Sequence, residues 1–287
     1  MPQRPRALTP KDDDGPQRIA KVLARAGLCS RRDAERWIAE GRVAVDGAVL
    51  TSPAITVTAA SDIRVDGAPL PEPDRPRLWR YHKPTGLVTT HRDEKGRPTV
   101  FGALPPELPR LISVGRLDLN SEGLLLLTND GALARRLELP ETGWLRRYKV
   151  RVHGVPDPAR LAALAKGIRI DGVSYGPIHA EFERQKGANA WVALSLREGK
   201  NREVRRVLEH LGLAVTRLIR LSYGPFQLGN LARGAVEEVT GKVVREQLGN
   251  PAPPKAQVPK LDAPRPDATK PDTTKPDATR PNAHRRR

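Results

Sequence analysis

The stretch of sequence that decides the fold covers residues 115–131 and reads Gly-Arg-Leu-Asp-Leu-Asn-Ser-Glu-Gly-Leu-Leu-Leu-Leu-Thr-Asn-Asp-Gly. Its aliphatic second half predicts a buried strand, which the turn signal Asn129-Asp130-Gly131 brings to an end. The polar turn before the strand contains Arg116 and Asp118, so a carboxylate is placed at the end of a rigid element, where functional residues are often found. A turn aspartate is more often a structural cap than a catalytic group, and side-chain type alone favours the cap.

Residues 17–71 are typical of a small helix–helix–hairpin unit. Apolar residues recur at helical spacing from Ile19 until Gly27, which ends the first predicted helix. The run Ser30-Arg31-Arg32-Asp33 has the capping-box pattern that begins a second helix, and Asp46-Gly47 is a hairpin turn signal. This order of elements, with its Ser-Arg-Arg start, resembles the S4-type RNA-binding domain.

Arg31 and Arg32 are unusual for the first turn of a helix. Cations there oppose the helix dipole, whereas a helix N-terminus with two guanidinium groups forms a good phosphate seat. Taken alone, the two arginines are slightly more typical of a solvated surface. The resemblance to an S4-type domain shifts the interpretation to RNA binding.

The region from residue 77 to residue 248 follows a proline-rich linker and alternates strand-like with helix-like segments. Strands are predicted at residues 78–81, 87–90, 148–153, 168–173, 178–182 and 191–196, and helices at residues 161–165 and 204–211. Strands outnumber helices and are joined by turn signals. We therefore predict an α+β fold with a mainly antiparallel sheet.

The composition points to a polyanionic partner. The 287 residues contain 50 lysines and arginines against 33 acidic residues, a net charge of +17. Such an excess suits nucleic-acid phosphates, because each neutralised phosphate releases a counterion. The single cysteine, Cys29, rules out an intrachain disulfide and a cysteine metal cluster, and the scattered histidines give no metal-ligand spacing.

Both chain termini are expected to be disordered. Residues 1–16 contain no apolar core and therefore do not form a signal peptide, and no aliphatic run is long enough to cross a membrane. Residues 251–287 repeat a five-residue Asp/Thr/Lys/Pro theme with nine lysines and arginines and four aspartates. That tail is either a solubilising extension or a loose tether to RNA. A cytoplasmic protein is expected.

Four ordered motifs resemble the RsuA-type pseudouridine synthases, ribosomal RNA enzymes that carry an S4-type domain before the catalytic one. These motifs are Lys83-Pro84-Thr85-Gly86, the segment at residues 115–131, the run that begins at Tyr148, and the basic run at residues 198–206. The resemblance implies that Asp118 is the catalytic carboxylate, that Tyr148 stacks on the uracil, and that Arg205 is the ion-pair partner of Asp118. In this sequence Ser121 replaces a threonine of the family pattern, and Arg146-Arg147 replaces an acidic residue before the tyrosine.

The implied reaction breaks the bond from ribose C1′ to uracil N1, turns the base, and joins C1′ to C5. No group is oxidised or donated, so neither a metal nor an organic cofactor is needed. The carboxylate acts as a nucleophile at C1′ or at C6, or removes a ribose proton, and the sequence leaves these alternatives open. Arg205 is expected to orient the carboxylate oxygens through a two-pronged contact.

Six basic residues are expected to contact RNA: Arg31, Arg32, Lys83, Arg116, Lys200 and Arg202. Arg116 either fills the gap left by the extruded base or contacts a phosphate, and Lys83 is either a phosphate ligand or part of a Pro-Gly turn. The tail and layout resemble the large-subunit pseudouridine synthase B branch. A monomer that modifies 23S rRNA is therefore favoured over one that modifies 16S rRNA, over a non-catalytic ribosome-assembly factor, and over a hydrolase pairing Asp118 with Glu122.

Overall fold

A computed structural model describes residues 15–248. The disorder expected up to residue 14 and in the tail at residues 251–287 lies outside the described residues. Along residues 15–248, none of the helices has the combination of length and apolar character that a bilayer crossing requires.

The N-terminal unit has two short helices packed on small antiparallel sheets. Its elements are β1 (Gln17–Arg18), α1 (Ile19–Arg25), α2 (Arg31–Ala39), β2 (Val43–Val45), β3 (Ala48–Val49), β4 (Thr56–Val57), β5 (Ile63–Val65) and β6 (Ala68–Pro69). Strand β1 pairs with β4, and the other four strands form a sheet in the order β3-β2-β5-β6. The two helices and the sheet bury one shared apolar cluster that includes Ile19, Leu23, Ile38 and Val43.

The predicted local signals of this unit are present. The Ser30 hydroxyl accepts a hydrogen bond from the Asp33 backbone N–H at 3.0 Å, and the Asp33 carboxylate accepts one from the Ser30 N–H at 3.3 Å. This reciprocal capping box satisfies backbone donors that the first turn of α2 leaves unpaired. Asp46 and Gly47 both have positive φ, as a two-residue hairpin turn between β2 and β3 requires.

The larger unit contains eleven strands and four α-helices between Leu78 and Leu248. The strands are β7 (Leu78–Lys83), β8 (Ile112–Val114), β9 (Ser121–Thr128), β10 (Arg146–His153), β11 (Ile168–Ile170), β12 (Val173–Tyr175), β13 (Ile178–Lys186), β14 (Asn189–Leu196), β15 (Ala214–Tyr223), β16 (Phe226–Gln227) and β17 (Val236–Val239). The helices are α3 (Gly131–Glu138), α4 (Pro158–Ala163), α5 (Glu203–His210) and α6 (Gly241–Leu248).

Nine of these strands form one sheet with the order β13-β14-β10-β15-β9-β7-β17, to which β16 and β8 add at β15 and β9. Strands β15 and β9 run parallel, and the other paired strands of the sheet run antiparallel. The predicted α+β class is confirmed. Every residue of β9 is buried, as its aliphatic sequence predicts, and this strand lies in the interior of the sheet between β15 and β7.

Two predicted strands are wrong. Residues 168–173 form two strands, because Asp171 and Gly172 adopt positive φ and make the turn between β11 and β12. Residues 87–90 make a single bridge, between Val88 and Thr99, instead of a strand. Their polar groups bond elsewhere, since the Thr89 hydroxyl donates to the Leu117 carbonyl at 2.8 Å in the loop that carries Asp118.

Candidate active site

A cleft of about 540 Å³ opens where β9, β10 and β15 lie side by side. Six of the residues predicted from sequence line it, namely Arg116, Asp118, Tyr148, Lys200, Arg202 and Arg205. Asp118 and Arg205, which are 87 positions apart in sequence, are therefore brought to one concave surface. The cleft is the candidate active site.

The loop that carries Asp118 is fixed through its backbone. Asp118 lies between β8 and β9, and its carbonyl accepts a hydrogen bond from the Ser121 N–H at 3.0 Å. The next carbonyl, that of Leu119, accepts from the Gly86 N–H at 2.8 Å. The Asp118 side chain keeps 35% of its surface exposed, and Arg202 Nη1 lies 3.8 Å from its Oδ2. A carboxylate on a fixed backbone thus faces the cleft beside the guanidinium group of Arg202.

Lys83 lies directly beneath this loop and is fully buried. Its Nζ donates to three backbone carbonyls, those of Pro84 at 3.0 Å, Asp118 at 3.1 Å and Ser121 at 2.9 Å. The prediction that Lys83 contacts RNA is therefore wrong, because a buried ammonium that donates to three carbonyls cannot reach a phosphate. Burial lowers the pKa of Lys83 to about 8, although the charges of Asp118 and Glu122 oppose that shift.

Lys83 gives a prediction with a defined pH dependence. Its ammonium offers three N–H groups to three carbonyls, and the neutral amine that forms above a pKa of about 8 offers two. The rate of pseudouridine formation should therefore fall as pH rises through about 8. In Lys83→Met the loop loses this anchor, so the rate should drop on the order of 10²-fold and show no such step. Single-turnover rates on both sides of the transition measure this.

The free energy of unfolding should respond to pH in the opposite direction to the rate of pseudouridine formation. The folded pKa of Lys83 lies below its ordinary value of 10.5, so the unfolded chain binds more protons between about 8 and 10.5. The contribution of Lys83 to the free energy of unfolding therefore rises with pH in that window. Thermal melts of wild type and Lys83→Met separate the two effects. Suppose that the wild-type activity fell with pH in parallel with the Tm, and that the Tm of Lys83→Met fell in the same way. The deprotonation of Lys83 would then not be the cause of the activity loss.

Arg205 holds the same loop from the other side. It lies in α5, is 7% exposed, and donates from Nη2 to the Asn120 carbonyl at 2.8 Å and from Nη1 to the Val215 carbonyl at 3.3 Å. In the described part of the chain, Arg205 forms no ion pair with Asp118. The predicted two-pronged contact between these two residues is therefore absent from this structure. Instead, each Nη atom donates one hydrogen bond to a backbone carbonyl. Burial lowers the pKa of Arg205, with Arg202 adding to the shift and Asp118 opposing it.

The other predicted cations of the late basic run lie at the rim of the cleft. Arg202 precedes α5 in a left-handed conformation (φ 52°), and its side chain is 45% exposed. Lys200 donates from Nζ to Glu198 Oε2 at 2.6 Å and to the Ser174 carbonyl at 2.7 Å. The hydrogen bond from Lys200 lowers the pKa of Glu198. Lys200 is therefore held by Glu198, whereas Arg202 projects toward the open cleft beside Asp118.

Tyr148 forms part of the cleft wall through the sheet. It lies in β10, is 9% exposed, and pairs across the strands with Arg220 of β15. A bulge in β15 leaves Leu221 without a cross-strand partner, so Arg220 and Tyr223 both come to the face that Tyr148 occupies. Tyr148, Arg220 and Tyr223 all line the cleft. Sequence reasoning did not find Arg220, whose one signal is a charge at an inward-facing position of a strand.

Glu122, the second acid of the hydrolase alternative, faces away from this chemistry. Its side chain is 2% exposed and is absent from the cleft lining. One oxygen accepts from Arg217 at 2.6 Å and the other accepts from Arg233 at 2.6 Å. With both oxygens occupied by arginines, Glu122 is not free to act as a general acid. The hydrolase alternative therefore loses its second carboxylate.

Arg31 and Arg32 lie outside the cleft, exposed on the first turn of α2. Arg31 lines a second groove of about 450 Å³, together with Lys21, Arg25, Arg110 and Arg135. This basic groove runs between the N-terminal helices and α3, and it shares Ser113 and Glu138 with the cleft. Arg25 Nε lies 3.9 Å from the Asp130 carboxylate, which links α1 to the start of α3.

Comparison with known proteins gives the class that this fold and site define. The sequence profile described as RNA pseudouridylate synthase matches residues 77–210, and that of the S4 domain matches residues 17–63. A Rickettsia felis protein described as an uncharacterized RNA pseudouridine synthase is 49% identical over 230 residues, which cover 80% of this chain and 100% of that protein. The chain belongs to the RNA pseudouridylate synthase family and is an isomerase that acts on RNA.

Ribosomal large subunit pseudouridine synthase B of Pasteurella multocida is 44% identical over 246 residues, which cover 82% of this chain and 71% of that protein. A solved structure, described as a crystal structure of pseudouridylate synthase, superimposes with a TM-score of 0.56 at 28% identity, over 80% of this chain and 99% of that one. The family and the S4-type domain inferred from the motifs are confirmed.

Proposed function

We propose that this protein converts one specific uridine of ribosomal RNA, favoured to be in 23S rRNA, to pseudouridine. The observation that carries the proposal is that Asp118, Tyr148 and Arg205 line a single cleft. The large-subunit substrate is supported by similarity to the Pasteurella multocida enzyme and by the basic tail. We further propose that the protein acts as a monomer in the cytoplasm, where ribosomes are assembled.

In the proposed mechanism Asp118 is the catalytic carboxylate. The uridine leaves its helix at a cost of a few kcal/mol of stacking, and Tyr148 stacks on the extruded ring. Asp118 then attacks C1′ or C6, or removes a ribose proton. The C1′–N1 bond breaks, the base turns, and C1′ bonds to C5, whose proton leaves as N1 gains one. Arg205 acts as a positioning residue that holds the Asn120 carbonyl, two residues from Asp118, and provides a nearby positive charge.

We propose that residues 17–71 and 77–248 divide the work, the first gripping an RNA helix and the second carrying out the isomerisation. The basic groove joins the two regions and is continuous with the cleft through Ser113 and Glu138. A phosphate backbone fits such a path, since five lysine and arginine side chains line it. Arg116 and Arg202 then continue the cationic surface beside Asp118.

The RNA path predicts a particular change in salt dependence. Arg31→Ala and Arg135→Ala should each weaken RNA binding and reduce the salt slope by about 1, because each removes one phosphate contact. Arg184→Ala, which removes an exposed arginine from β13 outside both grooves, is the matched control. Filter binding over a salt series measures the slopes. If Arg184→Ala lowered the slope as much as the other two, binding would not follow the groove.

The proposed substrate is tested on RNA that has never been modified. Purified protein should form pseudouridine at one position of unmodified 23S rRNA and none in 16S rRNA, as mapped by chemical derivatisation and primer extension. Modification confined to 16S rRNA would support the alternative of a small-subunit enzyme. Tight binding to rRNA without modification of either molecule would support a non-catalytic assembly factor.

A further inference from the structure

Arg220 is a buried cation of the cleft that the mechanism above does not use. It is 3% exposed and lies in β15. Its Nε donates to the Leu124 carbonyl at 2.8 Å, but Nη2 is buried and has no hydrogen-bond partner within residues 15–248. A buried guanidinium donor without an acceptor is costly, and such exceptions in a folded protein call for a functional explanation.

Two further donors of the cleft share this condition. Ser121 Oγ and Arg205 Nε are buried and have no hydrogen-bond partner in the described part of the chain. Ser121 and Arg205 are 2% and 7% exposed, and both line the same cleft as Arg220. The three residues that carry these donors, on β9, α5 and β15, thus line one cavity. A ligand that presents several acceptor oxygens at this floor would satisfy them.

The position of Arg220 beside Tyr148 indicates which part of a ligand it meets. The two residues are directly opposite across β10 and β15, so their side chains lie on one face with Cβ atoms roughly 5 Å apart. An aromatic ring that stacks on Tyr148 presents its flat side to that residue. Arg220, on the neighbouring strand, would then lie toward the ring's edge, where the carbonyl oxygens of a pyrimidine are found.

We propose that Arg220 binds the edge of the flipped-out uracil and donates a hydrogen bond to a ring carbonyl both before and after the base turns. This inference rests on the proposed function. Turning uracil by half a revolution about its N3–C6 axis exchanges N1 with C5, which is what the isomerisation requires. The same rotation exchanges O2 with O4, so one fixed donor finds an acceptor in both orientations. Cytosine, which has an amino group in place of O4, offers an acceptor in one orientation.

The test places sulfur at each carbonyl of the target nucleotide. Short target RNAs with uridine, 2-thiouridine or 4-thiouridine are compared in single-turnover reactions with wild type, Arg220→Met and Arg220→Lys. Sulfur is a poor hydrogen-bond acceptor, so each thio substitution should slow wild type by about tenfold, the effect of losing a bond to a charged donor. In Arg220→Met the uridine substrate should already react slowly, and neither thio substitution should slow it further.

A merely structural role for Arg220 would slow all three substrates equally and leave the thio effects unchanged. Arg151→Met, which removes an exposed arginine of β10 outside the cleft, is the matched control and should keep the full thio effects. Arg220→Lys retains a cation and serves if the methionine variant does not fold. Equal reaction of all three RNAs with wild type, or equal thio effects in wild type and Arg220→Met, overturns the inference while pseudouridine formation itself stands. No product from wild type on the uridine RNA would remove the proposed function and this inference together.

Discussion

Replacing Asp118 with asparagine is expected to abolish pseudouridine formation and to leave RNA binding intact. The amide keeps the shape of the carboxylate and removes its charge and nucleophilicity, so the single-turnover rate should fall on the order of 10⁴-fold or more. RNA affinity should be kept or slightly increased, because a negative charge disappears beside the phosphate-binding arginines. The Tm should change little, since the backbone of this loop, and not the Asp118 side chain, carries its hydrogen bonds to Lys83 and Ser121.

The matched control for Asp118→Asn is Asp171→Asn. Asp171 is an exposed aspartate in the turn between β11 and β12, with a left-handed φ of 48° that asparagine tolerates well. The Asp171→Asn substitution makes the same chemical change away from the cleft and should leave the rate of pseudouridine formation unaltered. Turnover near the wild-type level in Asp118→Asn would remove Asp118 from its proposed role.

Replacing Gly123 with alanine is expected to disrupt the centre of the sheet. A Cβ at this position would lie 2.3 Å from the carbonyl oxygen and 2.7 Å from the nitrogen of Arg220, and φ is +105°. Both neighbours are backbone atoms of the parallel pair β9–β15, so the strands would have to separate. We expect a loss of about 3 kcal/mol or more in the free energy of unfolding, with loss of activity, because Ser121 and Arg220 move with their strands.

Gly187→Ala isolates the cost of backbone conformation from that of the clash. Gly187 also has positive φ, at +59°, but nothing lies within 4 Å of a Cβ built on it. Its substitution should cost about 1–2 kcal/mol from conformation alone. Urea denaturation of the two variants gives the comparison. Similar losses for both would mean that the close approach of β9 and β15 is not needed for stability.

Local signals in the sequence predicted part of the fold, but no predicted segment covers β15 or α3. The capping box at Ser30, the aliphatic strand that became β9, and the helix that became α5 each follow from short-range patterns. The two wrong strands have local causes as well. Asp171 and Gly172 form a turn that divides the predicted strand at residues 168–173, and the Thr89 hydroxyl bonds the Leu117 carbonyl in the loop that carries Asp118.

The arrangement inside the site depended on long-range packing that no local pattern shows. The resemblance to a known family implied that Asp118, Tyr148 and Arg205 belong to one site, and all three line the cleft. It did not reveal that Lys83 is buried under the loop, or that Arg205 bonds the Asn120 carbonyl instead of the carboxylate. Both outcomes depend on where backbone carbonyls point in the folded loop.

Arg220 shows the same limit more sharply. Its place beside Tyr148 depends on the register of β10 against β15, and the position of Tyr223 depends on the bulge at Leu221. A shift of one residue in that register would turn Arg220 to the opposite face of the sheet. Sequence periodicity gives the existence of a strand but not the partner residue across from each position.

The most direct test of the central claim is a structure of the inactive Asp118→Asn protein bound to RNA that contains the target uridine. We predict that this uridine is extruded into the cleft, with its base stacked on Tyr148 and its C1′ and C6 facing the side chain of residue 118. A target uridine that remains stacked within the RNA helix, or that lies in another pocket with residue 118 facing solvent, would contradict the account.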